Sequence, residues 1–182
     1  MDTISFLKQY KSGQRNFQGI ILHQAKLTKA DLIGVNLSEA DLSGADLSEA
    51  NLSKCNLARA NLTNADLNGA NLQDANLSEV NLIGADLMKA KLQDANLSRA
   101  DLRGANLMLA NLLGANLSEA EMSGAVLNGA NLREANLIGS NINESVFNDA
   151  ELAEAIITEV EMTGEILHIG LSHQWITWAG SY

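Results

Sequence analysis

The 182-residue chain combines 46% apolar residues with only 4% aromatic residues and no proline, a composition typical of a regular architecture built from small units. No apolar run is long enough to span a bilayer, residues 1–8 lack the apolar stretch of an export signal, and the single Cys55 excludes an internal disulfide framework. Residues 1–133 carry 14 acidic and all 12 basic residues, whereas residues 134–182 carry eight acidic residues and no Lys or Arg. We therefore expect a cytoplasmic protein that stays out of membranes, with an acidic C-terminal third that attracts basic partners and does not bind nucleic acid directly.

Residues 1–15 are predicted to form an N-terminal cap. Ile4, Phe6, Leu7 and Tyr10 fall on roughly one face of a helix over residues 3–12. A stack of coils that ended in solvent would expose apolar core and unpaired strand edges. We therefore expect this short amphipathic helix to cover the first coil of the structure that follows.

A five-residue repeat fills the chain from residue 16 to residue 164. A large apolar residue stands at every fifth position from Phe17 to Met162, and 24 of these 30 centres are Leu. The residue two positions before the centre is small, and from Ile20 to Val160 it is Ala in 22 of 29 quintets. A period of five fits neither a helix nor a plain strand, but two apolar residues two positions apart share one side of a short extended segment. The pattern predicts a chain that turns a corner in each quintet and coils around Leu and Ala.

Chemical matching between stacked positions indicates four quintets per coil. With a period of 20, seven successive Asn residues align in a column whose side chains can form a hydrogen-bonded ladder: Asn16, Asn36, Asn56, Asn76, Asn96, Asn116 and Asn136. The same period aligns a column of alternating charge: Glu39, Arg59, Glu79, Arg99 and Glu119. A period of 15 gives no column of this consistency. We expect about 7.5 coils, forming a rod of roughly 36 Å at about 4.8 Å per coil.

The quintets, such as Ala-Asp-Leu-Ser-Gly and Ala-Asn-Leu-Ser-Lys, resemble the A(D/N)LXX pattern of the pentapeptide-repeat family over about 150 of the 182 residues. The resemblance implies an all-β fold, a right-handed quadrilateral β-helix with the centre and small residues packed inward. The opening segment is similar to the start of cyanobacterial members in Leu7, Tyr10, Gly13, Arg15, Asn16 and Phe17. Membership of this family implies no particular activity, because most members have no assigned biochemical function.

Six outward positions in the middle of the repeat carry apolar residues where polar ones are expected. They are Met88, Met108, Leu109, Leu113, Val126 and Val146, and we call this set the apolar strip. With four quintets per coil, all but Leu113 belong to one face, and Leu113 begins the adjoining face. Apolar patches of this kind often mark binding surfaces, and Met suits adaptable ones. Drift of the repeat without functional consequence is the alternative interpretation.

After Met162 the repeat fades, and residues 165–182 are predicted to form a C-terminal cap or a dimerisation tail. This segment holds both tryptophans, at Trp175 and Trp178, with Ile176 between them. Capping the last coil is one interpretation. Homodimerisation through these three residues is the other, because exposed Trp is a common interface anchor.

No arrangement of residues predicts a catalytic centre, a metal site or a cofactor. His23, His168 and His173 lack matched Cys or carboxylate ligands, and Cys55 falls at an inward position where an inert thiol is expected. The serines follow routine outward positions with no His placed to activate them. Asp46, Asp66 and Asp86 stack in one column, which could attract a cation or a basic partner or could be tolerated as screened surface charge.

Two binding functions remain open for a chain of this kind, besides a purely structural role with no partner. The first is a non-enzymatic scaffold or regulatory module that binds another protein, most simply through the apolar strip. The second follows from the resemblance, because some bacterial members are acidic dimeric rods that mimic DNA and bind DNA gyrase. B-DNA carries one charge per about 1.7 Å, whereas a net charge of −10 over roughly 36 Å gives one charge per about 3.6 Å. This low charge density favours the scaffold.

Overall fold

The computed structural model describes residues 1–157 and the backbone of residues 177–178. Its helix α1 spans Thr3–Lys11, and its two short parallel strands are β1, Ile156–Ile157, and β2, Thr177–Trp178. Between α1 and β1 the chain runs through one quintet after another, each with a single bridging residue followed by a turn. No helix in the described part of the chain is long and apolar enough to cross a membrane.

The coil contains four quintets per turn, as the sequence predicts. Parallel bridges join each bridging residue to the residue 20 positions further on, from Asn16 with Asn36 to Asn136 with Ile156. We name the four sides of the rod by their inward centres: the first, second, third and fourth faces begin with Phe17, Leu22, Leu27 and Leu32 and continue with every twentieth residue. The figure of about 7.5 coils includes the quintet of Met162, which lies outside the described residues, and it stays a prediction.

Backbone hydrogen bonds explain why this β-structure consists of isolated bridges. The amide of Leu57 donates to the carbonyl of Asn76 at 2.7 Å, and the amide of Asn76 donates back to the carbonyl of Cys55 at 2.9 Å. The chain then turns: the amide of Ala60 donates to the carbonyl of Leu57, with Arg59 at a φ of 59°, which is a type II turn. Because a corner follows every bridge, most sides are too short to count as strands.

The core is a stack of Leu and Ala side chains. Every repeat centre from Phe17 to Ile157 is buried, and so is the small residue before it from Ala25 to Ala155, except Ala30. Apolar burial of this extent stabilises the rod at about 25 cal/mol per Å² of surface removed from water. The two serines at small inward positions are hydrogen-bonded: the Ser140 hydroxyl donates to the carbonyl of Leu137 at 2.7 Å, and the Ser145 hydroxyl donates to that of Met122 at 2.6 Å.

Helix α1 covers the first coil. The Asp2 carboxylate accepts a hydrogen bond from the Ser5 amide at 2.9 Å and caps the N-terminus of the helix. Phe6 is fully buried, and its ring meets that of Phe17 edge to face at 4.7 Å. The Tyr10 hydroxyl donates to a carbonyl of the coil at 3.0 Å. The predicted N-terminal helical cap is therefore present.

The prediction for Ile4 is wrong, because this residue is 81% exposed. Successive residues of a helix are rotated by about 100°, so Ile4 points nearly opposite to Phe6, whereas Leu7 and Tyr10 lie closer to Phe6. Leu7 and Tyr10 pack partly against the core. The helix thus binds the coil through Phe6, Leu7 and Tyr10 and leaves Ile4 in solvent.

Strand β2 adds one further parallel strand to the end of the stack. Its backbone pairs Thr177 with Ile156 and Trp178 with Ile157. Trp175 and Ile176 lie outside the described residues, as does the side chain of Trp178. Homodimerisation through these three residues stays a prediction.

Both predicted side-chain columns form on the first face. Six hydrogen bonds of 2.8–3.4 Å link the seven Asn residues from Asn16 to Asn136 into one ladder. In the charged column, Arg59 binds Glu79 with Nε–Oε2 and Nη2–Oε1 distances of 3.0 and 3.2 Å. Arg99 binds Glu119 in the same way at 2.8 and 3.4 Å. Each Arg therefore pairs with the Glu of the following coil, and most of the column neutralises itself.

Candidate functional site

The third face brings together the apolar strip. Met88 and Met108 occupy equivalent positions in successive coils, because 20 residues separate them, and a parallel bridge joins Val126 to Val146. Leu113 lies on the fourth face, beside the corner that the two faces share. Leu109 and Val146 are exposed, whereas Met88, Met108, Leu113 and Val126 are half-buried. These residues lie in successive coils, and Leu109 and Val146 present most of the apolar surface.

Leu109 stands out among the turn residues of the rod. It is 52% exposed and has a φ of 59°. Other positive-φ positions in the described quintets hold Gly or the polar residues Gln, Lys, Glu, Arg, Asn and Asp. This conformation costs a non-glycine residue roughly 1–2 kcal/mol, and a short polar side chain reduces that cost by bonding locally. Leu109 is therefore a bulky apolar residue at an exposed turn position that Gly or a polar residue occupies elsewhere.

The neighbouring coil is shaped to receive the Leu109 side chain. Its Cδ2 atom lies 2.8 Å from the place that a Cβ atom on Gly129 would occupy. A side chain at position 129 would therefore displace Leu109. The Leu109 side chain lies over Gly129, so it forms a low apolar ridge along the corner of the third and fourth faces.

Five further large apolar residues at outward positions of the described quintets were missed by the sequence analysis. Ile21, Ile33 and Ile138 are exposed, and Ile83 and Ile156 are half-buried. The rule that outward quintet positions should be polar would have found all five. They lie on the first, second and fourth faces, away from the apolar strip, and none extends it.

Exposed charges of opposite sign flank the apolar strip along the rod. Lys89 and Lys91 lie at its N-terminal end, and Asp149 and Glu151 at its C-terminal end. Successive bridges place Lys91 and Glu151 in one column, and Lys89 and Asp149 share the column of Leu109. Within the described residues, the salt bridges involve none of these four groups.

The stacked aspartates of the third face accept hydrogen bonds from neighbouring residues. Asp46 accepts hydrogen bonds from the Ser48 and Thr28 hydroxyls, both at 2.6 Å, and these bonds lower the pKa of its carboxyl, Ser48 most strongly. Asp86 accepts a hydrogen bond from the Asn106 amide group at 3.0 Å. Among the described residues no cluster of His, Cys, Asp and Glu is suited to hold a metal ion.

Two candidate nucleophiles in the described part of the chain, Cys55 and Ser43, are held in unreactive arrangements. Cys55 is 1% exposed, and burial raises the pKa of its thiol to about 12, so it is protonated at neutral pH. Ser43 lies between His23 and Asp41, 2.8 Å from His23 Nδ1. Its hydroxyl donates to Asp41 Oδ1 at 2.6 Å, so His23 does not receive the serine proton. His168 and His173 lie outside the described residues.

Comparison with known proteins places this arrangement in a family. The model of pentapeptide repeats matches eight copies, over residues 16–53, 55–94, 90–129 and 130–164. No curated protein matches the chain.

Three solved structures are similar to it. A trypsin-treated form of QnrB1, a plasmid-mediated fluoroquinolone resistance protein, is 21% identical over 90% of this chain and 89% of its own, with a TM-score of 0.69. HetL, a pentapeptide repeat protein involved in heterocyst differentiation regulation from the cyanobacterium Nostoc sp. strain PCC 7120, is 32% identical over 86% of this chain and 97% of its own, with a TM-score of 0.43. Rfr23 from the cyanobacterium Cyanothece 51142 is 28% identical over 84% and 98%, with a TM-score of 0.37.

QnrB1 supports the fold alone, and the family match over most of residues 16–164 gives the relationship. Because the five-residue repeat runs through most of the chain and closes into four-sided coils, the chain belongs to the pentapeptide repeat family, whose members adopt a right-handed quadrilateral β-helix.

Proposed function

We propose that this protein is a non-enzymatic scaffold that binds another protein through the apolar strip on its third face. The observation that carries the proposal is Leu109, an exposed apolar side chain at a turn position that favours Gly or polar residues. Pentapeptide repeat proteins are generally structural or interaction modules, which agrees with a binding role.

The partner surface follows from the shape of the third face. A coil of this regularity is rigid and flat, so the partner has to supply a complementary apolar surface rather than insert into a pocket. The half-buried Met88 and Met108 side chains can adapt to that surface, because Met is unbranched and flexible. Leu109 and Val146 supply the apolar area that becomes buried in the complex.

The test is affinity purification from the native cell with the double variant Met108→Ser, Leu109→Glu. Ser followed by Glu already occurs at the equivalent positions of the same face in Ser48 and Glu49, so the variant keeps the fold. We expect it to lose the partners that the unaltered protein retains. A matched control is Asn64→Glu on the second face, which adds the same charge at a turn residue that also lies over a glycine, Gly84.

Retention of every partner by the double variant would contradict the proposal for this face. Loss of the same partners from the Asn64→Glu protein would show a general effect of added negative charge, and it would contradict the proposal equally. Circular dichroism of the three proteins establishes that all of them are folded.

Mimicry of DNA is the second candidate, favoured by the acidic segment from residue 134 onward. QnrB1, which shares the fold, is a fluoroquinolone resistance protein. The ion pairs of Arg59 and Arg99 argue against DNA mimicry, because they neutralise much of the negative charge on the first face. Inhibition of DNA gyrase supercoiling at micromolar protein would support this candidate, and its absence would remove it.

A further inference from the structure

The first coil ends, on the third face, in an edge of backbone groups. Within the rod, the amide of Leu27 donates to the carbonyl of Asp46 at 2.7 Å, and the amide of Asp46 donates back to the carbonyl of Ala25 at 2.9 Å. The amide of Lys29 donates to the carbonyl of Ser48, also at 2.9 Å. The matching groups on the other side of the first coil face α1, because a helix and not a further coil precedes them.

These groups are the amide and the carbonyl of Lys26 and the carbonyl of Thr28, and we call them the free edge. No residue in the described part of the chain forms a hydrogen bond with them. On the fourth face, by contrast, the Tyr10 hydroxyl donates at 3.0 Å to the carbonyl of Ile33, which is the equivalent of Thr28. The free edge therefore offers one donor and two acceptors to an added strand.

An open groove of about 410 Å³ lies between α1 and the free edge. Leu7, Tyr10 and Ala30, all half-buried, form its apolar floor together with Leu27. Three exposed lysines line its rim: Lys11, Lys26 and Lys29. With Asp31 as the acidic residue of the lining, three positive charges and one negative charge give a net charge of +2. This combination fits an apolar side chain that is flanked by carboxylates.

We propose that this groove binds an extended acidic segment of another protein, which adds a parallel strand to the free edge. In the register that the coils use, the third residue of a bound five-residue segment donates its amide to the carbonyl of Lys26. The fifth residue donates its amide to the carbonyl of Thr28, and the amide of Lys26 donates to the carbonyl of the first residue. Leu27, Lys29 and Asp46 join the first two coils by the same pattern.

The side chains of the segment are specified by the columns that they extend. Lys26 forms a bridge with Asp46, and Lys29 forms a salt bridge with Glu49 at 3.4 Å. The second and fifth residues of the segment stack on Lys26 and Lys29, so carboxylates are favoured at both positions. The third residue points toward Leu7 and is therefore apolar. The expected sequence is small, acidic, apolar, any residue, acidic.

A second copy of this chain is disfavoured at the free edge by the same lysines. Two first coils that paired edge to edge would bring Lys26 and Lys29 of one copy close to those of the other, and lysines on an edge oppose such pairing. Lys29 is available to a further carboxylate, because its pair with Glu49 is exposed and exposed ion pairs contribute little. The charges thus exclude like edges and select acidic segments.

This interaction is independent of the apolar strip. The groove lies on the first coil, three coils before that of Met88, or about 14 Å away at the usual spacing of parallel strands. The double variant Met108→Ser, Leu109→Glu should therefore bind the segment as the unaltered protein does. The proposed function and this inference can each fail without the other.

A titration of the full chain, labelled with ¹⁵N, with the synthetic peptide Gly-Ala-Glu-Leu-Ser-Glu-Gly, blocked at both ends, tests the proposal. We expect a dissociation constant on the order of 100 μM at low salt, because one short strand and two exposed ion pairs contribute modestly. High salt should weaken binding, because it screens the ion pairs. The amide resonance of Lys26 should shift as the peptide binds, and its hydrogen exchange should slow.

Removing the rim charges should weaken peptide binding by about tenfold or more in the variant Lys26→Asn, Lys29→Asn. Asn already occupies a bridging position of this face at Asn106 and a turn position at Asn64, so the variant keeps the fold. The matched control is Lys89→Asn, Lys91→Asn, which removes the same charge from a turn position and a bridging position three coils away. It should bind the peptide as the unaltered protein does.

Methylation of single peptide nitrogens separates strand pairing from charge. A methyl group on the Leu nitrogen removes the donor to the carbonyl of Lys26 and should weaken binding by about tenfold or more. A methyl group on the nitrogen of the first Glu is the matched control. That amide points away from the free edge in the proposed register, so binding should be unchanged.

Absence of binding at millimolar peptide would overturn the inference. Equal binding of Gly-Ala-Lys-Leu-Ser-Lys-Gly would do the same by showing that charge selects nothing, and equal loss from both methylated peptides would exclude strand pairing. If the peptide does not bind and Lys26→Asn, Lys29→Asn self-associates in sedimentation equilibrium, the lysines only protect the edge from pairing. That result also overturns the inference and leaves the proposed function untouched.

Discussion

Leu109 combines an unfavourable backbone conformation with an exposed apolar side chain, so folding and binding make opposite demands on this residue. With a φ of 59° it would be replaced at little cost by Asn, which adopts this conformation more readily. We expect Leu109→Asn to be as stable as the unaltered protein, or more stable by about 0.5–1 kcal/mol, and to lose partner binding. The midpoint of urea unfolding measures the first effect and affinity purification the second.

The opposite result would show that Leu109 stabilises the fold by packing. If Leu109→Asn lowers the free energy of unfolding by more than about 1 kcal/mol, its contact over Gly129 contributes more than the turn strain costs. Asn64 is a natural comparison, since it has a φ of 54° and lies over Gly84. Its replacement Asn64→Leu should be destabilising, by the reverse of the same argument.

Cys55 offers a pH-dependent prediction at the residue scale. Burial raises the pKa of its thiol from 9.0 to about 12. The unfolded chain therefore loses this proton first as pH rises, so stability is fully present below pH 9 and falls between pH 9 and 12. Relative to Cys55→Ala, the unaltered protein should lose about 2 kcal/mol between pH 8 and pH 10.5. Chemical denaturation of both proteins at each pH measures this, and a constant difference would contradict it.

At the scale of one element, the Asn ladder stabilises both the turn within each quintet and the stacking of successive coils. Oδ1 of Asn76 accepts the amide of Ser78 at 3.2 Å and the Nδ2 group of Asn96 at 3.4 Å, while its own Nδ2 group donates to Asn56 at 3.1 Å. The first bond orders the corner within the quintet, and the other two join three coils. This double role gives a physical reason for Asn or Asp before so many centres.

Replacing Asn76 separates these contributions. Asn76→Ala removes all three hydrogen bonds and should lower the free energy of unfolding by about 1–3 kcal/mol. Asn76→Asp keeps both accepted bonds and loses only the donated one, so it should be the milder change at neutral pH. Thermal unfolding of the two variants gives the comparison. Equal destabilisation would contradict a role for the accepted bonds.

Much of the structure of the quintets and of the coil could be predicted from the sequence, because each quintet repeats the same chemistry. The inward Leu and Ala positions predicted a turn of the chain in every quintet, and the Asn column predicted a coil of 20 residues. The pairing within the charged column could not be predicted, because Arg59 has a Glu one coil away on either side. Side-chain direction decides that it binds Glu79 while Glu39 binds Gln18. The same limit applies to the apolar strip, whose positions were predictable but whose exposure was not.

At the scale of the whole molecule, the rod behaves as a one-dimensional stack. Each coil contacts only the coils before and after it, so stability depends on neighbouring coils and on the caps. At the N-terminal end the cap is α1, whose buried Phe6 packs on Phe17. Damage to one end should therefore stay near that end, whereas an ordinary globular domain would lose stability throughout.

Phe6→Ala tests this behaviour. Loss of a buried Phe costs about 3–5 kcal/mol, and here it should detach α1 and loosen the first coils. We expect faster amide hydrogen exchange in the coils nearest α1 and unchanged exchange from about residue 100 onward. Ile4→Ala is the matched control: Ile4 lies on the same helix and is 81% exposed, so exchange should not change anywhere. Uniform acceleration along the rod in Phe6→Ala would mean that the coils unfold as one cooperative unit, contrary to this prediction.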